Sequence, residues 1–350
     1  MNDGTKRILV IGDSDQPVSE WAEDARWNQE LARAEDAVDA FETLRRMDSV
    51  ELIVIANDET GELPAKLYRR AGEILETPPD IVVFANDPAA VSTSGIPPFA
   101  IDIIPVNTAA AFVRLRIDRL LATRRQRRKL EYRIEKLDGR LERADVVLVE
   151  TLMRCTAYKD DEFGRHVQRI NEYSSLMARL LGMPASYCET IGLASMLHDI
   201  GKVSVPDAIL QKPGKLDPEE WEVVKQHCTE GASILGDPGD STLLNMTLRV
   251  ILCHHEKWDG TGYPAGLSAR DIPLEGRIVA LADVFDALTT DLPYKKAWGI
   301  ELATSYIRTQ SGMHFDPELV SLFIEHIDKF VAIKTRLADI LVEEEVADRR

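Results

Sequence analysis

The sequence predicts a multidomain chain with an N-terminal α/β doubly wound domain, a long coiled-coil linker helix and a C-terminal all-α helical bundle. Three observations support this fold class. Apolar runs alternate with amphipathic stretches up to residue 106, a basic segment with heptad spacing follows, and all seven histidines lie after residue 165. Because 350 residues exceed the usual size of one domain, we expect domains at residues 1–110, 111–149 and 150–350.

Four apolar runs in the first domain have the composition of buried parallel strands. They lie at residues 8–11, 52–55, 81–84 and 103–104. Helical stretches between them, at residues 37–47 and 64–75, give the alternation that is typical of a doubly wound sheet.

The segment ILVIGDS resembles the first strand and acidic pair of response-regulator receiver domains. A working receiver binds Mg²⁺ through acidic residues, accepts phosphate on an aspartate and carries a lysine near the fifth strand. Here Gly12 replaces one of the acidic pair, Ala56 stands at the acceptor position and Val106 at the approximate lysine position. Asn57 and Asp58 are alternative stand-ins for the acceptor. We therefore expect a degenerate receiver-like domain that senses without phosphorylation or assists dimerisation.

The connecting segment combines basic charge with an apolar repeat. Residues 113–143 carry 12 basic and 5 acidic side chains. Apolar residues recur at the alternating spacing of a parallel coiled coil, namely at Leu130, Ile134, Leu137, Leu141, Ala144 and Leu148. This pattern predicts a homodimer through residues 117–148. The basic run 124–129 superficially resembles a basic-zipper DNA reader, but a solvated helix face is the simpler interpretation in an acidic chain.

Charge and composition exclude several classes of protein. A net charge of −17 disfavours general binding to nucleic acid or to anionic membranes. There is no apolar run of about 18 residues and no signal-peptide pattern, so we expect a cytoplasmic protein without a membrane partner. The four cysteines form no CxxC pair and are expected to be reduced thiols.

Histidines and acidic residues cluster in the C-terminal domain. The segments EFGRH, LHDIGK, KQHCTEG, CHHEKW and LADVFDAL supply eight candidate metal ligands: Glu162, His166, His198, Asp199, His227, His254, His255 and Asp283. Glu162 and His166 are four residues apart and would share a helix face. The clusters recur at intervals of about 27 to 32 residues, which suits successive helices of a bundle.

Eight ligands are too many for one ion, so the pattern predicts a centre of two or three metals. Mixed imidazole and carboxylate ligation suits iron, manganese or zinc. Taken alone, a histidine such as His227 on an amphipathic helix is more often an ordinary surface or core residue than a metal ligand. The adjacent pairs at 198–199 and 254–255 are harder to explain that way, because burying such groups is costly without a metal or a partner. His314 and His326 lie outside the pattern and are not expected to be ligands.

The motifs HDIGK, HHEKWDGTGYPAGL and ADVFDALTTDLPY together resemble the signature of the HD-GYP family, over about residues 150–330. The resemblance implies a metal-dependent phosphodiesterase that hydrolyses cyclic di-GMP to pGpG, and to GMP where a third metal is bound. It implies the same eight ligands, with Glu162 serving the third metal. The implied cofactors are two or three divalent ions of iron or manganese.

The resemblance also implies roles for individual residues. Asp199 would bridge the metals as a catalytic residue, and Lys202 would neutralise a phosphate oxygen or help to protonate the leaving 3′ oxygen. Tyr263 and Lys295 would bind the substrate, although Tyr263 has an alternative role as a packed aromatic. Family members usually have an arginine where this chain has Leu292. The alternatives are therefore another cyclic or linear dinucleotide as substrate, or a catalytically weak nucleotide-sensing module.

The loop DGTGYP also carries a structural expectation. Gly260 and Gly262 permit positive φ angles and close backbone approach. Glu256 and Asp259 are expected to order this loop beside the site.

Overall fold

The computed structural model divides the chain into two compact units, Met1–Leu137 and Asp138–Arg350. The first contains a sheet and is called the sheet unit, and the second is the helical unit. The structure describes residues 6–12, 29–47, 50–56, 62–75, 77–91, 93–94, 96–98, 100–106, 108–157, 161–212, 214–291 and 296–348.

The described strands of the sheet unit form one parallel sheet. They are β1 (Lys6–Ile11), β2 (Gln29–Ala34), β3 (Leu52–Ala56), β4 (Asp80–Ala85) and β5 (Ile101–Pro105). Their order is β2–β1–β3–β4–β5, with every neighbouring pair parallel. This is the flavodoxin-like doubly wound order, so the predicted parallel α/β sheet is confirmed. The receiver assignment stays a prediction.

Helices cover both faces of this sheet. On one face, α1 (Ala37–Arg46) and α2 (Leu63–Ile74) pack in a core that includes the fully buried Leu44. On the other face, the first turns of α3 (Ala110–Ala157) pack through Ile117. Every residue of β3 and β4 is buried, which explains their continuous apolar runs.

The sequence did not predict β2, and it predicted only two residues of β5. The sequence of β2 is QELARA, which lacks a continuous apolar run because β2 lies at an edge of the sheet. β5 lies at the opposite edge and is only partly buried. Edge strands need fewer apolar residues than central ones, so hydrophobic runs alone do not reveal them.

Helix α3 is continuous over 48 residues. It ends at Ala157, whereas the sequence placed the end of the linker helix at residue 149. The residues of the predicted seam, which we call the apolar stripe, are Leu130, Ile134, Leu137, Leu141, Ala144 and Leu148, and all of them are exposed on the single chain. The predicted linker segment is therefore helical, while the pairing of this helix into a coiled coil stays a prediction.

The interpretation of the basic run 124–129 as a solvated face is wrong for Arg124. Its side chain is 2% exposed and pairs with Asp80, which is 1% exposed, at 2.9 Å. Arg124 also donates a hydrogen bond to the carbonyl oxygen of Pro78 over 2.7 Å. Arg125, Arg128 and the terminal lysine of the run are exposed as expected.

The helical unit confirms the predicted all-α bundle. Its helices within the described residues are α4 (Asp161–Leu180), α5 (Ala185–Ser195), α6 (Asp207–Leu210), α7 (Pro218–Lys225), α8 (His227–Leu235), α9 (Thr242–Cys253), α10 (Leu274–Thr289), α11 (Ile300–Thr309), α12 (Pro317–Glu325) and α13 (Ile327–Asp348). Tyr173, Phe285, Phe323 and Phe330 pack together at the centre of its core. No described helix is both long and apolar enough to span a membrane.

The buried Arg124–Asp80 pair predicts a large effect on stability. Replacing one partner leaves the other charge buried without compensation, so Asp80→Ala should lower the free energy of unfolding of the sheet unit by about 3–5 kcal/mol. Urea denaturation followed by circular dichroism measures this change. The double variant Asp80→Ala, Arg124→Met should recover at least half of the loss. A double variant as unstable as the single one would contradict the explanation.

Candidate metal centre

Seven of the eight predicted ligands meet in two adjoining groups. Group A consists of His166, His198 and Asp283, and group B of Asp199, His227, His254 and His255. Within each group, one potential ligand atom from every residue lies within 4.8 Å of the others. Because His198 and Asp199 are consecutive in the chain, the two groups lie side by side.

Most of these side chains come from helix ends. His166 and Asp283 lie within α4 and α10, whereas His198 and Asp199 lie between α5 and a 3₁₀ turn, His227 begins α8, and His254 and His255 follow α9. Short helices therefore end where the chain enters the polar centre of the bundle. The apolar faces of these helices, such as Ile191 of α5 and Val250 of α9, form the core around it.

Backbone carbonyls fix the orientation of three histidines. His198, His227 and His254 each donate a hydrogen bond from Nδ1 to the carbonyl oxygen three residues earlier, over 2.8, 2.6 and 3.1 Å. A carbonyl oxygen can only accept a hydrogen bond, so Nδ1 carries the proton. In the neutral imidazole, the lone pair is then on Nε2, which faces the group.

The ligand atoms have the spacing of a coordination sphere. The Nε2 atoms of His227 and His254 lie 3.4 Å apart, and they lie 3.4 and 3.7 Å from Oδ1 of Asp199. Atoms bound about 2.0–2.2 Å from one metal ion lie about 3.0–3.6 Å from each other. Oδ1 of Asp199 is buried without a hydrogen-bond partner among the described residues, which is costly for a carboxylate unless a cation binds it. The residues of group B therefore fit a metal ion.

Burial keeps two histidines of group B neutral. It lowers the pKa of His227 to about 4. Burial, with a smaller contribution from the neighbouring His254, lowers the pKa of His255 well below its ordinary value. Since only the unprotonated imidazole binds a metal, both side chains are in the ligating form at neutral pH.

Asp199 is held in its ionised form. Burial raises its pKa, but the Lys202 ammonium and then His198 outweigh burial, so that the pKa of Asp199 lies well below the ordinary value. His198 responds in the opposite direction. Burial lowers its pKa, but the Asp199 carboxylate and then Asp283 outweigh burial. The pKa of His198 therefore lies above its ordinary value. Metal binding at His198 therefore competes with a proton more strongly than at His227 or His255.

Sequence reasoning missed a carboxylate that orients His166. Nδ1 of His166 lies 2.8 Å from Oδ2 of Asp286, a residue that is 1% exposed. Arg169 donates two hydrogen bonds to the same carboxylate, over 2.6 and 2.8 Å. Burial raises the pKa of Asp286, while His166 and Arg169 lower it to a net value below the ordinary one, so the carboxylate accepts the proton of Nδ1. Such carboxylate–histidine pairs orient metal ligands.

Gly201 permits the close packing that places His227. A Cβ atom at residue 201 would lie 1.9 Å from the carbonyl oxygen of His227 and 2.5 Å from the backbone nitrogen of Gly231. The 3₁₀ turn after Asp199 therefore packs directly on α8, backbone against backbone. The sequence contains this glycine within HDIGK, but nothing in the sequence identifies the segment that it approaches.

Lys202 and Tyr263 lie beside group B. Nζ of Lys202 lies 2.5 Å from Oδ2 of Asp199, and its side chain is 38% exposed. The ring of Tyr263 stacks on that of His255, with centroids 4.8 Å apart and an interplanar angle of 28°. Tyr263 thus packs against a candidate ligand and is also partly exposed, so its role in substrate binding stays a prediction.

Glu256 orders the loop after group B, as predicted. Its carboxylate accepts hydrogen bonds from three consecutive backbone N–H groups, those of residues 265, 266 and 267, over 2.7 to 3.1 Å. Asp259 accepts hydrogen bonds from the backbone and the hydroxyl of Thr261. Gly260 has a φ of +82°, and a Cβ at Gly262 would lie 2.4 Å from a backbone nitrogen. The positive φ angle at residue 260 and the close backbone approach at residue 262 thus both require glycine.

Two neighbouring cysteines behave as buried apolar residues. Cys228 and Cys253 are free and buried, and burial raises their pKa values to about 12 and about 11. They are therefore thiols at neutral pH, as predicted. His314 and His326 belong to neither group.

Three predicted positions cannot be compared with the structure. Lys295 and Leu292 lie outside the described residues. Glu162 is in the first turn of α4, but its side chain is likewise outside the described part. Their roles stay predictions.

The Asp286–His166 contact predicts a loss of metal affinity. Asp286→Asn should weaken Mn²⁺ binding at group A by about 10- to 100-fold, because the substitution removes the charge that supports His166. Titration with Mn²⁺, with free ion followed by electron paramagnetic resonance, resolves the two affinities. Glu275→Gln is the matched control, since Glu275 is a buried carboxylate on the same helix and pairs with Arg249 at 2.8 Å. Equal weakening in both variants would contradict a specific role.

Comparison with known proteins shows which family the helical unit resembles. Residues 150–319 match the family model of the HD domain. A 3′3′-cGAMP-specific phosphodiesterase 2 of Vibrio cholerae is 44% identical over 192 residues, which cover 55% of this chain and 37% of that protein. A cyclic di-GMP phosphodiesterase of Thermotoga maritima is 43% identical over 178 residues, covering 51% of this chain and 48% of that protein.

A third relative carries a response-regulator name. The cyclic di-GMP phosphodiesterase response regulator RpfG of Xanthomonas campestris is 36% identical over 219 residues, covering 61% of this chain and 58% of that protein. The chain thus spans 37% to 58% of the length of these three relatives.

Proposed function

Since residues 150–319 match the family model of the HD domain, we propose that the chain is a metal-dependent phosphodiesterase of cyclic dinucleotides. The proposed reaction is hydrolysis of cyclic di-GMP to linear pGpG, and onward to GMP. The observation that carries this proposal is the meeting of groups A and B at the consecutive residues His198 and Asp199. Relatives that are named as phosphodiesterases of cyclic di-GMP and of cGAMP support it.

Groups A and B would hold one divalent ion each, iron or manganese, and Glu162 would serve a third. Paired ions supply Lewis acidity at a phosphoryl group and make a bound water more acidic. Asp199 is suited to serve both groups, because its Oδ2 lies 3.3 Å from Nε2 of His198 and its Oδ1 lies 3.4 Å from Nε2 of His227.

Lys202 is the proposed catalytic cation of the chain. Its ammonium is anchored by Asp199 yet partly exposed, so its remaining protons can reach a bound phosphate. It would donate a hydrogen bond to a non-bridging oxygen, where negative charge develops, or a proton to the leaving 3′ oxygen. Burial lowers the pKa of Lys202, but the Asp199 carboxylate outweighs burial, so that the pKa lies above its ordinary value. The side chain is therefore charged at neutral pH.

Substrate binding is proposed for Lys202 and Tyr263, and the family resemblance extends this proposal to Lys295. Leu292 lacks the bidentate contact that an arginine at this position would make with phosphate. A related substrate, cyclic GMP-AMP, is the second candidate, because the relative from Vibrio cholerae is named for that specificity.

Product analysis tests the proposed activity. Protein loaded anaerobically with Fe²⁺ or Mn²⁺ should convert cyclic di-GMP to pGpG, as detected by chromatography, and a parallel reaction with cyclic GMP-AMP tests the second candidate. The His198→Ala, Asp199→Ala variant removes a ligand from each group and should lower the rate by about 100-fold or more. Glu275→Gln serves as the control that retains both groups. If the loaded protein forms product from neither substrate, the proposal is wrong.

The apolar stripe of α3 supports a second proposal, a homodimer through residues 117–148. Leu130, Ile134, Leu137 and Leu141 are each more than 50% exposed. Their heptad spacing suits pairing with a second copy. The degenerate receiver-like domain would then regulate hydrolysis through this dimeric helix, in a chain located in the cytoplasm.

Introducing charge into the apolar stripe tests dimerisation. Ile134→Asp, Leu137→Asp should raise the dimer dissociation constant by at least about 100-fold, because four apolar side chains lose their burial in each dimer. Sedimentation equilibrium measures this constant. Leu115→Asp is the matched control, since Leu115 is 64% exposed on the same helix but lies outside the stripe. A wild-type chain that is monomeric at high concentration would contradict the proposal.

A further inference from the structure

Helix α7 presents a tryptophan and a lysine next to group B. Trp221 is 46% exposed, and its ring meets that of Tyr263 edge to face, with centroids 6.3 Å apart and an interplanar angle of 85°. Lys225 lies one turn later, and its Nζ is 6.0 Å from the centroid of the same tyrosine ring. One short helix thus brings both an indole and a cation to the ring of Tyr263.

Tyr263 connects this pair to the candidate ligands. Its ring stacks on His255 and meets His227 edge to face, with centroids 4.8 and 6.4 Å apart. A single aromatic ring therefore separates Trp221 from two members of group B. A ligand that contacts group B and extends past Tyr263 would reach Trp221.

The position of α7 is fixed independently of Trp221. Asp217 and Glu220 form a capping box at its start, and Lys212 pairs with Glu220 at 2.5 Å. Helix α7 continues through a single residue into α8, which begins with His227. The exposed face of the indole is consequently not needed to hold the helix in place and is available for a ligand.

We propose that Trp221 is a stacking platform for a purine base of the cyclic dinucleotide, a role that rests on the proposed function. In a cyclic dinucleotide, each base is joined to its phosphate through one sugar, which matches the placement of Trp221 one ring beyond group B. Aromatic side chains bind bases by stacking in many nucleotide sites. Lys225 itself pairs with Glu222 at 2.6 Å, so the proposed platform depends on the indole ring and not on this cation.

Fluorescence titration tests the platform separately from turnover. The probe is the bis-phosphorothioate analogue of cyclic di-GMP, in which sulfur replaces one non-bridging oxygen of each phosphate and slows hydrolysis. It is added to the full chain loaded with Mn²⁺, and tryptophan emission is recorded. The variants are Trp221→Phe and Trp221→Ala, with Leu302→Ala as a control at a residue that is 57% exposed on α11. The bound Mn²⁺ is measured for every protein.

The expected pattern is specific. Wild-type emission should be quenched by the analogue. Trp221→Phe should lose this quenching and keep the dissociation constant within about threefold, because a ring is retained. Trp221→Ala should bind the analogue about 5- to 150-fold more weakly, as measured by isothermal titration calorimetry. The amount of bound Mn²⁺ should be unchanged in this variant. Leu302→Ala should match the wild type.

Other outcomes separate the two proposals. If Trp221→Ala binds the analogue as the wild type does, the platform is wrong even when cyclic di-GMP is hydrolysed, and the exposed indole then fits a protein contact. If the wild type binds through Trp221 but forms no product from cyclic di-GMP, the proposed function fails while the platform stands. If the wild type does not bind the analogue, the platform is overturned.

Discussion

The helical unit depends on holding imidazoles and carboxylates together in a largely buried site. Burial opposes charge on every one of these groups, so each needs a compensating contact. Backbone carbonyls orient His198, His227 and His254, while the charged pair of Asp286 and Arg169 performs this task at His166. The surrounding helices are short because they must end where these contacts begin.

The histidines of the site are supported in two ways, and this difference has a chemical meaning. A carbonyl dipole fixes the direction of an imidazole without adding charge. A carboxylate such as Asp286 also makes the imidazole a stronger electron donor, although Arg169 reduces that effect by binding the same oxygens. His166 therefore differs in its electronic environment from the three histidines that backbone carbonyls support.

The sequence predicted which histidines and aspartates lie together, but not the contacts that support them. Ligand types recur at helical intervals, so His198, Asp199 and the other members of both groups could be named from spacing alone. Asp286 lies 120 residues from His166, and no local pattern connects them. In the sheet unit, the wholly buried strands were predicted, while β2 was missed because an edge strand carries polar residues. Arg124 was misinterpreted for a related reason, since its partner Asp80 lies 44 residues away.

The consecutive positions of His198 and Asp199 have a consequence for how the site can vary. Helices can shift against each other by fractions of an ångström as side chains in a core are exchanged. The separation of groups A and B is set in part by one peptide unit, whose Cα atoms are about 3.8 Å apart in every protein. Substitutions elsewhere in the bundle can therefore reshape the entrance and the surroundings of the site during evolution, while covalent geometry preserves the distance between its two halves.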